Sequence, residues 1–338
     1  MTKSRKKLVN DAPGPRNRAR TSLRLAIIGA GRLGTALGQA LRIAGYRIEI
    51  VVARRLAHAR KAARLIDSGV IPISSAQIIR LNASQRKRFD RSNLFLIATP
   101  DDVIKEVALQ LSTLFKSDRL AASNKPGAKR IALHTSGALS SESLMPLKAA
   151  GFSIGSLHPL ISISGPGDRS DQFRRAFFSV EGDHAAVRVA ATIVRRLGSH
   201  SFTVDRSMKP LYHAAAVTAS GHVVALFDIA LEMLSHCGLT SQRAKKILLP
   251  LLKSTLTNLG SKDPAHALTG TFARADASTA RRHLAAIQAE RLGDALAAYL
   301  LLGKRSIELA RKMGVNKADL DAIERLLQQS APDGSRLK

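Results

Sequence analysis

The 338-residue sequence is poor in cysteine and aromatic residues: it has one cysteine, Cys237, and no tryptophan. A single cysteine cannot pair within the chain, so a fold stapled by disulfides is excluded and a reducing compartment is favoured. Cys237 lies in an apolar stretch typical of a helix, and we interpret it as ordinary helix packing. The cysteine and histidine spacing of zinc sites is also missing, so the sequence predicts no metal site.

Long hydrophobic runs are missing as well. No window reaches the roughly 18 uninterrupted apolar residues expected of a membrane-spanning helix, so we expect no membrane partner. The basic N-terminus is not followed by the apolar segment of a signal peptide. These two absences predict a cytoplasmic protein.

Acidic residues are scarce, because 25 Asp and Glu stand against 53 Lys and Arg, which gives a net charge of +28. Residues 1–22 carry seven basic residues, one aspartate and few apolar ones, and we expect a disordered tail. The tail could be an arm for nucleic acid or anionic membranes, or a solvated extension. We favour the extension, because the sequence lacks a helix-turn-helix signature and basic–aromatic interleaving. Nucleic acid is therefore not a predicted partner.

A glycine-rich motif near the N-terminus predicts a dinucleotide site. Gly29, Gly31 and Gly34 follow the apolar strand Leu25–Ile28, open a helix, and precede a second strand at Ile48–Val52. In this context the three glycines serve a tight turn, a close backbone approach to the pyrophosphate, and helix packing, respectively. The helix N-terminus then faces the phosphates. The predicted cofactor-binding residues here are Gly29, Ala30, Gly31, Arg32, Leu33 and Gly34.

The end of the second strand indicates which cofactor binds. NAD sites usually place an acid there, whereas this chain has Arg54 and Arg55, and Glu49 lies too early in the strand to reach the ribose. A guanidinium suits a 2′-phosphate, so the sequence favours NADP over NAD. The alternative is that these are two more arginines in an arginine-rich chain.

Polar clusters follow several later strands. Such clusters meet at the carboxyl edge of a doubly wound parallel sheet, where ligands bind. The predicted strands are Leu94–Ala98, Ile131–His134, Ser153–Leu157, Phe177–Val180 and Ser201–Val204, the later ones with mixed direction allowed. Thr99 and Pro100 are expected beside the nicotinamide, and His134, Ser136 and His158 beside the substrate. Each histidine alone could be structural, but together they favour a site.

The second half reads as helical, so the predicted fold class is α/β, a doubly wound Rossmann sheet followed by an all-α C-terminal domain. Leu- and Ala-rich helix faces indicate a homodimer. The predicted helices are Arg206–Cys237, one ending near Leu259, Ala277–Glu290, Gly293–Met313 and Lys317–Gln329. The predicted domains are a tail over 1–22, a dinucleotide-binding domain over 23–205, a helical substrate and dimerisation domain over 206–330, and a flexible tail over 331–338.

Several motifs resemble those of a known family. They include "IIGAGRLGTALG", "LHTSGALSSESL", "GSLHPL", "KPLYHAAAVTAS" and "ALTGTFARADASTARRHLAAI". From Leu23 to about Gln329 the chain resembles bacterial two-domain Rossmann-like oxidoreductases whose C-terminal helical domain has no known function. These are similar to pyrroline-5-carboxylate reductase and deazaflavin-dependent NADP oxidoreductases. The chain departs at Gly221, where asparagine is usual, and at Thr271 and Ala275, where proline and glycine are usual.

The resemblance implies roles for Lys209 and His213, which are four residues apart and share one helix face. In the wider reductase group a lysine at this place faces the nicotinamide and donates a proton, with a polar residue one turn later. A cation or acid there stabilises the charge that hydride delivery builds on the substrate heteroatom. Tyr212 is set aside because it points about 100° away from His213 along the helix.

Taken together, the sequence predicts an NADP-dependent reductase of a small carbonyl or imine compound. Lys209 and His213 are its predicted catalytic residues, and Arg274 and Asp276 are expected to close the substrate pocket, either from the same subunit or from a second one. A non-catalytic dinucleotide-binding redox sensor is the alternative, and nucleic-acid binding through the basic body is a third reading.

Overall fold

The computed structural model describes residues 22–121, 130–163, 165 and 171–331. The predicted basic tail and most of the predicted C-terminal tail lie outside these residues. The chain divides into two compact units, Met1–Val217 and Thr218–Lys338. The first unit therefore extends about a dozen residues beyond the boundary expected at 205.

Strands and helices alternate through the first unit, as the sequence predicted. Its elements are β1 (Arg24–Ile28), α1 (Arg32–Ile43), β2 (Arg47–Ala53), α2 (Leu56–Ile66), β3 (Ile71–Ser74), α3 (Ala83–Arg91), β4 (Leu94–Ile97), α4 (Asp101–Ala121), β5 (Ile131–His134), α5 (Met145–Ala149), β6 (Ser153–Leu160), β7 (Phe177–Gly182), α6 (His184–Arg196), β8 (His200–Thr203) and α7 (Lys209–Ala219), within which the unit ends.

The eight strands form one sheet in the order β3-β2-β1-β4-β5-β6-β7-β8. Neighbouring strands are parallel except β6 and β7, which confirms the doubly wound sheet with a late change of direction. Strand β3 was not predicted, because its four residues include Pro72 and end in a serine. It forms an edge of the sheet, where a proline is tolerated because one side of the strand needs no hydrogen bonds.

The sheet is buried on both faces, which explains why its central strands are apolar throughout. Along β1, Leu25 and Ile27 pack into one hydrophobic cluster with α1, α2 and α6, whereas Ala26 and Ile28 pack into another with α3, α4 and α5. The second cluster contains an aromatic group in which the rings of Phe95 and Phe115 are 5.3 Å apart. This rigid scaffold fixes the loops at the carboxyl ends of the strands.

Strand β2 buries a charged group. Glu49 has no solvent exposure and is the extra residue of a β-bulge, where the register between β1 and β2 shifts. Its carboxylate binds the guanidinium groups of Arg88 at 2.6 Å and of Arg24 and Arg47 at 3.0 Å. These partners explain an acid inside a strand and support the view that Glu49 does not reach a bound ribose.

The second unit is helical. Its elements are α8 (Gly221–His236), α9 (Ser241–Ser261), α10 (Pro264–Ala267), α11 (Ala277–Ala289), α12 (Gly293–Lys312) and α13 (Lys317–Gln329). Leu284, Leu300, Ile307 and Leu320 lie in its main hydrophobic core. Most of the described side chains of α8 and α9 lie outside this core, and only Ala244 of the two helices is fully buried.

The prediction of one continuous helix over Arg206–Cys237 is wrong. A short 3-10 turn precedes α7, and Ser220 separates α7 from α8 with φ −126° and ψ −71°. Gly221, a poor helix former, follows the break. One helical stretch in the described chain, Arg206–His236, is nevertheless long and apolar enough to cross a membrane, with a mean hydropathy of 1.6 in its most apolar window. A single stretch of this kind is a weak indication of membrane insertion.

The loop before α11 holds a residue in the left-handed region. Its turns are closed by hydrogen bonds from the amide of Arg274 to the carbonyl of Gly270 and from the amide of Asp276 to the carbonyl of Thr271. Gly270 has φ +83° and Ala275 has φ +50°. Glycine adopts such a φ without steric cost. This backbone conformation explains why glycine is usual at the position of Ala275 in the family that the chain resembles.

We expect Glu49→Gln to lower the free energy of unfolding by about 2 kcal/mol near neutral pH, the magnitude typical of a hydrogen bond to a charged group. Asp90→Asn is the matched control. It removes an exposed i,i+4 pair with Arg86 and should cost less than about 0.5 kcal/mol. Urea denaturation of both variants measures the difference.

This stabilisation should disappear in acid. Burial acts to raise the pKa of Glu49, but the hydrogen bond and charge of Arg88, with Arg47 and Arg24, outweigh it and hold the pKa below the ordinary 4.5. A carboxylate with a lowered pKa stabilises the fold above the ordinary value and loses that contribution as the pH falls through the folded-state pKa. A difference between wild type and Glu49→Gln that persists in strong acid would contradict this explanation.

We expect Ala275→Gly to raise the free energy of unfolding by up to about 1 kcal/mol. Relief of a left-handed alanine, worth roughly 1–2 kcal/mol, exceeds the added entropy of a glycine in the unfolded chain, about 0.5–1 kcal/mol. The control is Ala285→Gly at an exposed position inside α11, which should lower stability by about 1 kcal/mol. Destabilisation by both substitutions would show that the loop is not strained at Ala275.

Candidate functional site

The glycine loop between β1 and α1 has the shape that the motif predicts. Gly29 has φ +110°, and a side chain there would overlap the backbone of Ala98 at the end of β4. A side chain on Gly34 would overlap the carbonyl oxygen of Gly29, so α1 can pack this closely only on a glycine. Gly31 differs, because a Cβ there would meet nothing within 4 Å. The loop therefore presents an open backbone surface beside the start of α1.

Two features of this loop fit a bound dinucleotide. Within the described chain, the N-terminus of α1 has no side-chain cap and no acid in its first turn, so the helix dipole favours an anion there. At the end of β4, the buried hydroxyl oxygen of Thr99 has no hydrogen-bond partner within the described chain. A buried polar atom without a partner is costly, and a ligand group could satisfy it.

A cleft of about 470 Å³ opens beside this loop. Its walls come from the glycine loop, the residues after β4, the loop after β5, the end of β6, and α7. Of the residues predicted from the sequence, the cleft brings together Gly31, Arg32, Leu33, Thr99, Pro100, Ser136, His158 and His213. Arg54 and Arg55 are exposed and directly follow β2, the strand next to β1. The end of β2 is tied to the glycine loop, because the carbonyl of Val52 in β2 accepts from the amide of Gly29 at 2.8 Å.

His134, predicted to bind substrate, is fully buried, and both its ring nitrogens are occupied. Its Nδ1 accepts from the amide of Ser136 at 3.2 Å, so the ring proton is on Nε2, which donates to the carbonyl of Ser140 at 3.0 Å. Burial and the charge of Lys209 lower its pKa to about 3. These contacts make His134 a support for the loop after β5, and no ring nitrogen is left for a substrate.

The hydroxyl of Ser136 is also engaged within the protein. It donates to a carboxylate oxygen of Asp101 at 2.8 Å and accepts from the amides of Ala138 at 3.2 Å and Leu139 at 3.0 Å. Ser136 therefore lines the cleft mainly as a residue that shapes the loop.

Lys209 does not line the cleft. Its side chain is fully buried, and its Nζ donates to the Oγ of Ser156 at 2.8 Å and to the carbonyl of Ser136 at 3.2 Å. Burial lowers its pKa, against the charges of Glu181 and Asp101, which act to raise it. The proton-donor role of Lys209 stays a prediction, and these contacts favour a positioning role behind the loop after β5.

Glu181 is a buried acid that sequence reasoning missed. Its carboxylate accepts from the amide of Ser141 at 2.5 Å and from the hydroxyl of Ser141 at 3.0 Å. Because β7 runs antiparallel to β6, Glu181 lies opposite Ser156 in the register. The direction of β7 brings this acid near Lys209. The motif "SVEGD", which contains Glu181, is the local signal that could have found it.

The cleft instead presents two other imidazoles. The rings of His158, at the end of β6, and His213, on α7, are 5.3 Å apart and nearly perpendicular. Nδ1 of His158 lies 2.7 Å from the hydroxyl of Tyr212. Nδ1 of His213 is buried without a hydrogen-bond partner in the described chain. Tyr212, set aside on helical spacing, thus belongs to the site through its contact with His158.

Burial keeps His158 and Tyr212 uncharged. Burial, followed by the charges of His213 and Lys209, lowers the pKa of His158 to about 4. Burial raises the pKa of Tyr212 to about 12. At neutral pH His158 is therefore an uncharged imidazole beside a protonated phenol.

Arg274 and Asp276 belong to the second unit. Arg274 is exposed, and Asp276 caps α11, accepting from the amide of Thr279 at 2.9 Å and the hydroxyl of Ser278 at 3.1 Å. The hydrogen bond from the Thr279 amide is the main reason that the pKa of Asp276 is lowered to about 2. Capping explains the aspartate structurally, and the role of both residues in closing the pocket stays a prediction.

No group of three or more His, Cys, Asp or Glu is placed to hold a metal ion among residues 22–121, 130–163, 165 and 171–331. The described cleft presents imidazole, hydroxyl, carboxylate, guanidinium and backbone groups. These can orient a polar substrate atom and move a proton.

Comparison with known proteins identifies both parts of the chain. Residues 11–159 match the family described as Rossmann-like domain, and residues 176–307 match the family described as domain of unknown function DUF2520. The second match begins immediately before β7, so this family includes the last two strands of the sheet. No curated protein matches the chain.

Solved structures share the fold at low sequence identity. Protein TM1727 from Thermotoga maritima is 22% identical with a TM-score of 0.61, over 86% of this chain and 99% of its own. A proposed NADP oxidoreductase from Bacteroides fragilis is 20% identical with a TM-score of 0.62, over 90% and 98%. Pyrroline carboxylate reductase from Plasmodium falciparum, solved with NADP bound, is 10% identical with a TM-score of 0.51, over 92% and 98%.

The family matches, the sheet order and these similar structures agree with the organisation that the sequence motifs indicated. The chain is a two-domain protein in which a Rossmann-like domain is followed by a C-terminal domain of the DUF2520 family.

Proposed function

We propose that this protein is an NADPH-dependent reductase of a small carbonyl or imine compound. The observation that carries the proposal is the shared cleft, in which the open glycine loop and the unpartnered hydroxyl of Thr99 adjoin His158 and His213. One side of this cleft offers a place for the cofactor, and the other offers groups that can hold and protonate a substrate. The names of similar structures, which include NADP-binding reductases, support the same reaction class.

The cofactor would be held mainly by backbone groups. The loop from Gly29 to Gly34 and the first turn of α1 would bind the pyrophosphate, and Thr99 and Pro100 would border the nicotinamide. When bound, NADPH supplies a hydride. The chain's own residues would orient the substrate, exclude water and deliver the proton.

Arg54 and Arg55 would select NADP. Both are exposed and follow the strand next to the glycine loop, where the adenosine ribose lies in dinucleotide-binding sheets. Neither has a carboxylate among the described ion pairs, so both guanidinium groups are available for a 2′-phosphate.

For catalysis, His213 and Lys209 were the residues expected from the sequence. His213 fits that role, because its ring lies in the cleft. Lys209 would act through the loop that it supports unless it moves on binding. Arg274 and Asp276 remain candidates for closing the pocket.

We further propose that the protein acts in the cytoplasm as a homodimer formed mainly by residues 206–330. In the second unit, α8 and α9 expose large apolar side chains, including Val224, Ile247, Leu251 and Leu256, each at least half exposed. Apolar surface of this extent is typical of a subunit interface. A second copy of the same helices is the partner that these residues favour.

A direct test of the function is NADPH oxidation against panels of aldehydes, ketones, keto acids and cyclic imines. Turnover of one class over the others would establish the reductase. Tight NADPH binding without turnover of any class would favour a dinucleotide-binding redox sensor instead.

We expect NADPH to bind at least tenfold more tightly than NADH, because only NADPH carries the phosphate that Arg54 can bind. Isothermal titration of both cofactors measures the ratio, and Arg54→Ala should reduce it to near one. Arg91→Ala is the matched control, since it removes an equal charge from the end of α3, just before β4 begins and therefore at the amino ends of the parallel strands. Equal affinities in the wild type would refute the cofactor assignment.

We expect light scattering to give twice the chain mass of 36.3 kDa at micromolar concentration. Leu251→Glu should shift the protein to the monomer, because it places a charge on an exposed apolar position of α9. Ile79→Glu, at an equally exposed position of the first unit, should leave the dimer intact. A wild-type monomer would rule out the proposed assembly.

A further inference from the structure

The geometry points to His158 and His213 as a two-imidazole site for a carbonyl oxygen, with His158 as the proton donor and the hydroxyl of Tyr212 as the group that returns its proton. This inference rests on the proposed reductase function and narrows its substrate to aldehydes or ketones.

The two imidazoles converge above a single glycine. Nδ1 of His213 and Nε2 of His158 each lie less than 3.0 Å from the point where a Cβ on Gly137 would stand. The two nitrogens are therefore less than twice that distance, 6.0 Å, apart. A side chain on Gly137 would overlap both rings, so only a glycine lets the two imidazoles come this close. An oxygen in the cleft, which both rings line, could contact both nitrogens.

Tyr212 determines which nitrogen of His158 carries the proton. Its phenol stays protonated at neutral pH, and its hydroxyl lies 2.7 Å from Nδ1 of His158. The hydroxyl of Ser179 acts to lower the pKa of Tyr212, as a donor to the phenol oxygen does, which leaves the phenol proton for His158. The O–H of Tyr212 therefore donates to Nδ1. A neutral imidazole that accepts at Nδ1 has its proton on Nε2, the nitrogen that points toward Gly137.

His213 presents a ring nitrogen that lacks a hydrogen-bond partner in the described chain. Its Nδ1 is buried without a partner in the described chain and faces the same point above Gly137. A buried polar atom of this kind is normally satisfied by protein, water or ligand. An oxygen between the rings would accept from both, with two lone pairs for two N–H groups.

This arrangement favours a carbonyl over an iminium group. A carbonyl oxygen gains negative charge as hydride arrives, and donors held in place stabilise it. An iminium nitrogen is positive and gains nothing from two N–H donors, and Asp101, the acid that lines the cleft, already accepts from Ser136 through Oδ2. Ile161 and Ile163, which also line the cleft, suit an apolar substituent on the substrate.

The reaction balances with these groups alone and NADPH. The carbonyl carbon receives the hydride, and the electron pair of the C=O π bond moves to the oxygen. That oxygen takes the Nε2 proton of His158, while Nδ1 of His158 takes the proton of Tyr212. The product is an alcohol, and the phenolate of Tyr212 regains a proton from water.

Lys209 is a positioning residue in this scheme. Its buried Nζ binds the carbonyl of Ser136, the residue before Gly137. It thereby holds the loop that packs against the two imidazoles, and it does not itself line the cleft.

The first experiment compares paired substrates in the full-length protein with NADPH: an aldehyde, a ketone and a cyclic imine of similar size. We expect turnover of a carbonyl compound in preference to the imine. His158→Ala should lower kcat by about 10²–10⁴-fold, the range of general acid catalysis, with the NADPH dissociation constant within about twofold. Tyr212→Phe should lower kcat less, because His158 remains.

The matched control is Tyr299→Phe, which removes a similar hydroxyl bonded to the Nδ1 of His283 at 2.9 Å in the second unit. It should leave kcat unchanged. A preference for the imine, or a His158→Ala protein with near-normal kcat, would overturn the inference. The inference would also be overturned if Lys209→Met abolished turnover at an unchanged melting temperature while His158→Ala stayed active.

A second experiment needs no substrate. Nitrogen-15 NMR of the histidine rings in the free protein should show His158 neutral at pH 7 with its proton on Nε2, and Tyr212→Phe should shift the tautomer toward Nδ1. A proton on Nδ1 in the wild type would overturn the relay. Failure of NADPH to bind would instead refute the proposed reductase function, so the two failures are distinguishable.

Discussion

The buried ammonium of Lys209 is the constraint on which the cleft depends. A charge without solvent contact is tolerated only when it is hydrogen-bonded or paired, and Lys209 finds the carbonyl of Ser136 and the hydroxyl of Ser156. These bonds join the first turn of α7 to the loop after β5 and to β6. Tyr212 and His213, on that same turn and the next, are consequently held beside the sheet. This attachment explains why the first compact unit continues to Val217.

The same rule, that buried polar groups need partners, sorts the polar residues of the site. His134, Ser136 and Glu181 satisfy their hydrogen bonds within the protein, and their role is to shape loops. Thr99 and His213 keep buried polar atoms without partners in the described chain. The first group forms a rigid floor, and the second marks the places where a cofactor and a substrate would complete the structure.

Much of the fold could be predicted because local patterns determine it. The apolar run before Gly29 and the alternation of strands and helices predicted seven of the eight strands and the parallel sheet. The one strand that the prediction lacked, β3 at Ile71–Ser74, is short, and its proline obscures the pattern. The break between α7 and α8 at Ser220 was missed because apolar residues continue across it. An apolar sequence can continue through a position at which the helix itself is interrupted. The antiparallel turn into β7 is a long-range pairing with no local signal.

The sequence by itself determined the glycine turn, the succession of strands and helices along the chain, and the polar residues placed at the carboxyl ends of the strands, because each follows from backbone sterics or from the connection rules of parallel sheets. It also put Lys209 and His213 on one helix face. Tertiary structure alone decided that the lysine is buried, that the histidine lines the cleft, and that Tyr212 reaches His158. Helical spacing fixes the direction of a side chain relative to its own helix, whereas the neighbouring strands and loops decide what that side chain meets.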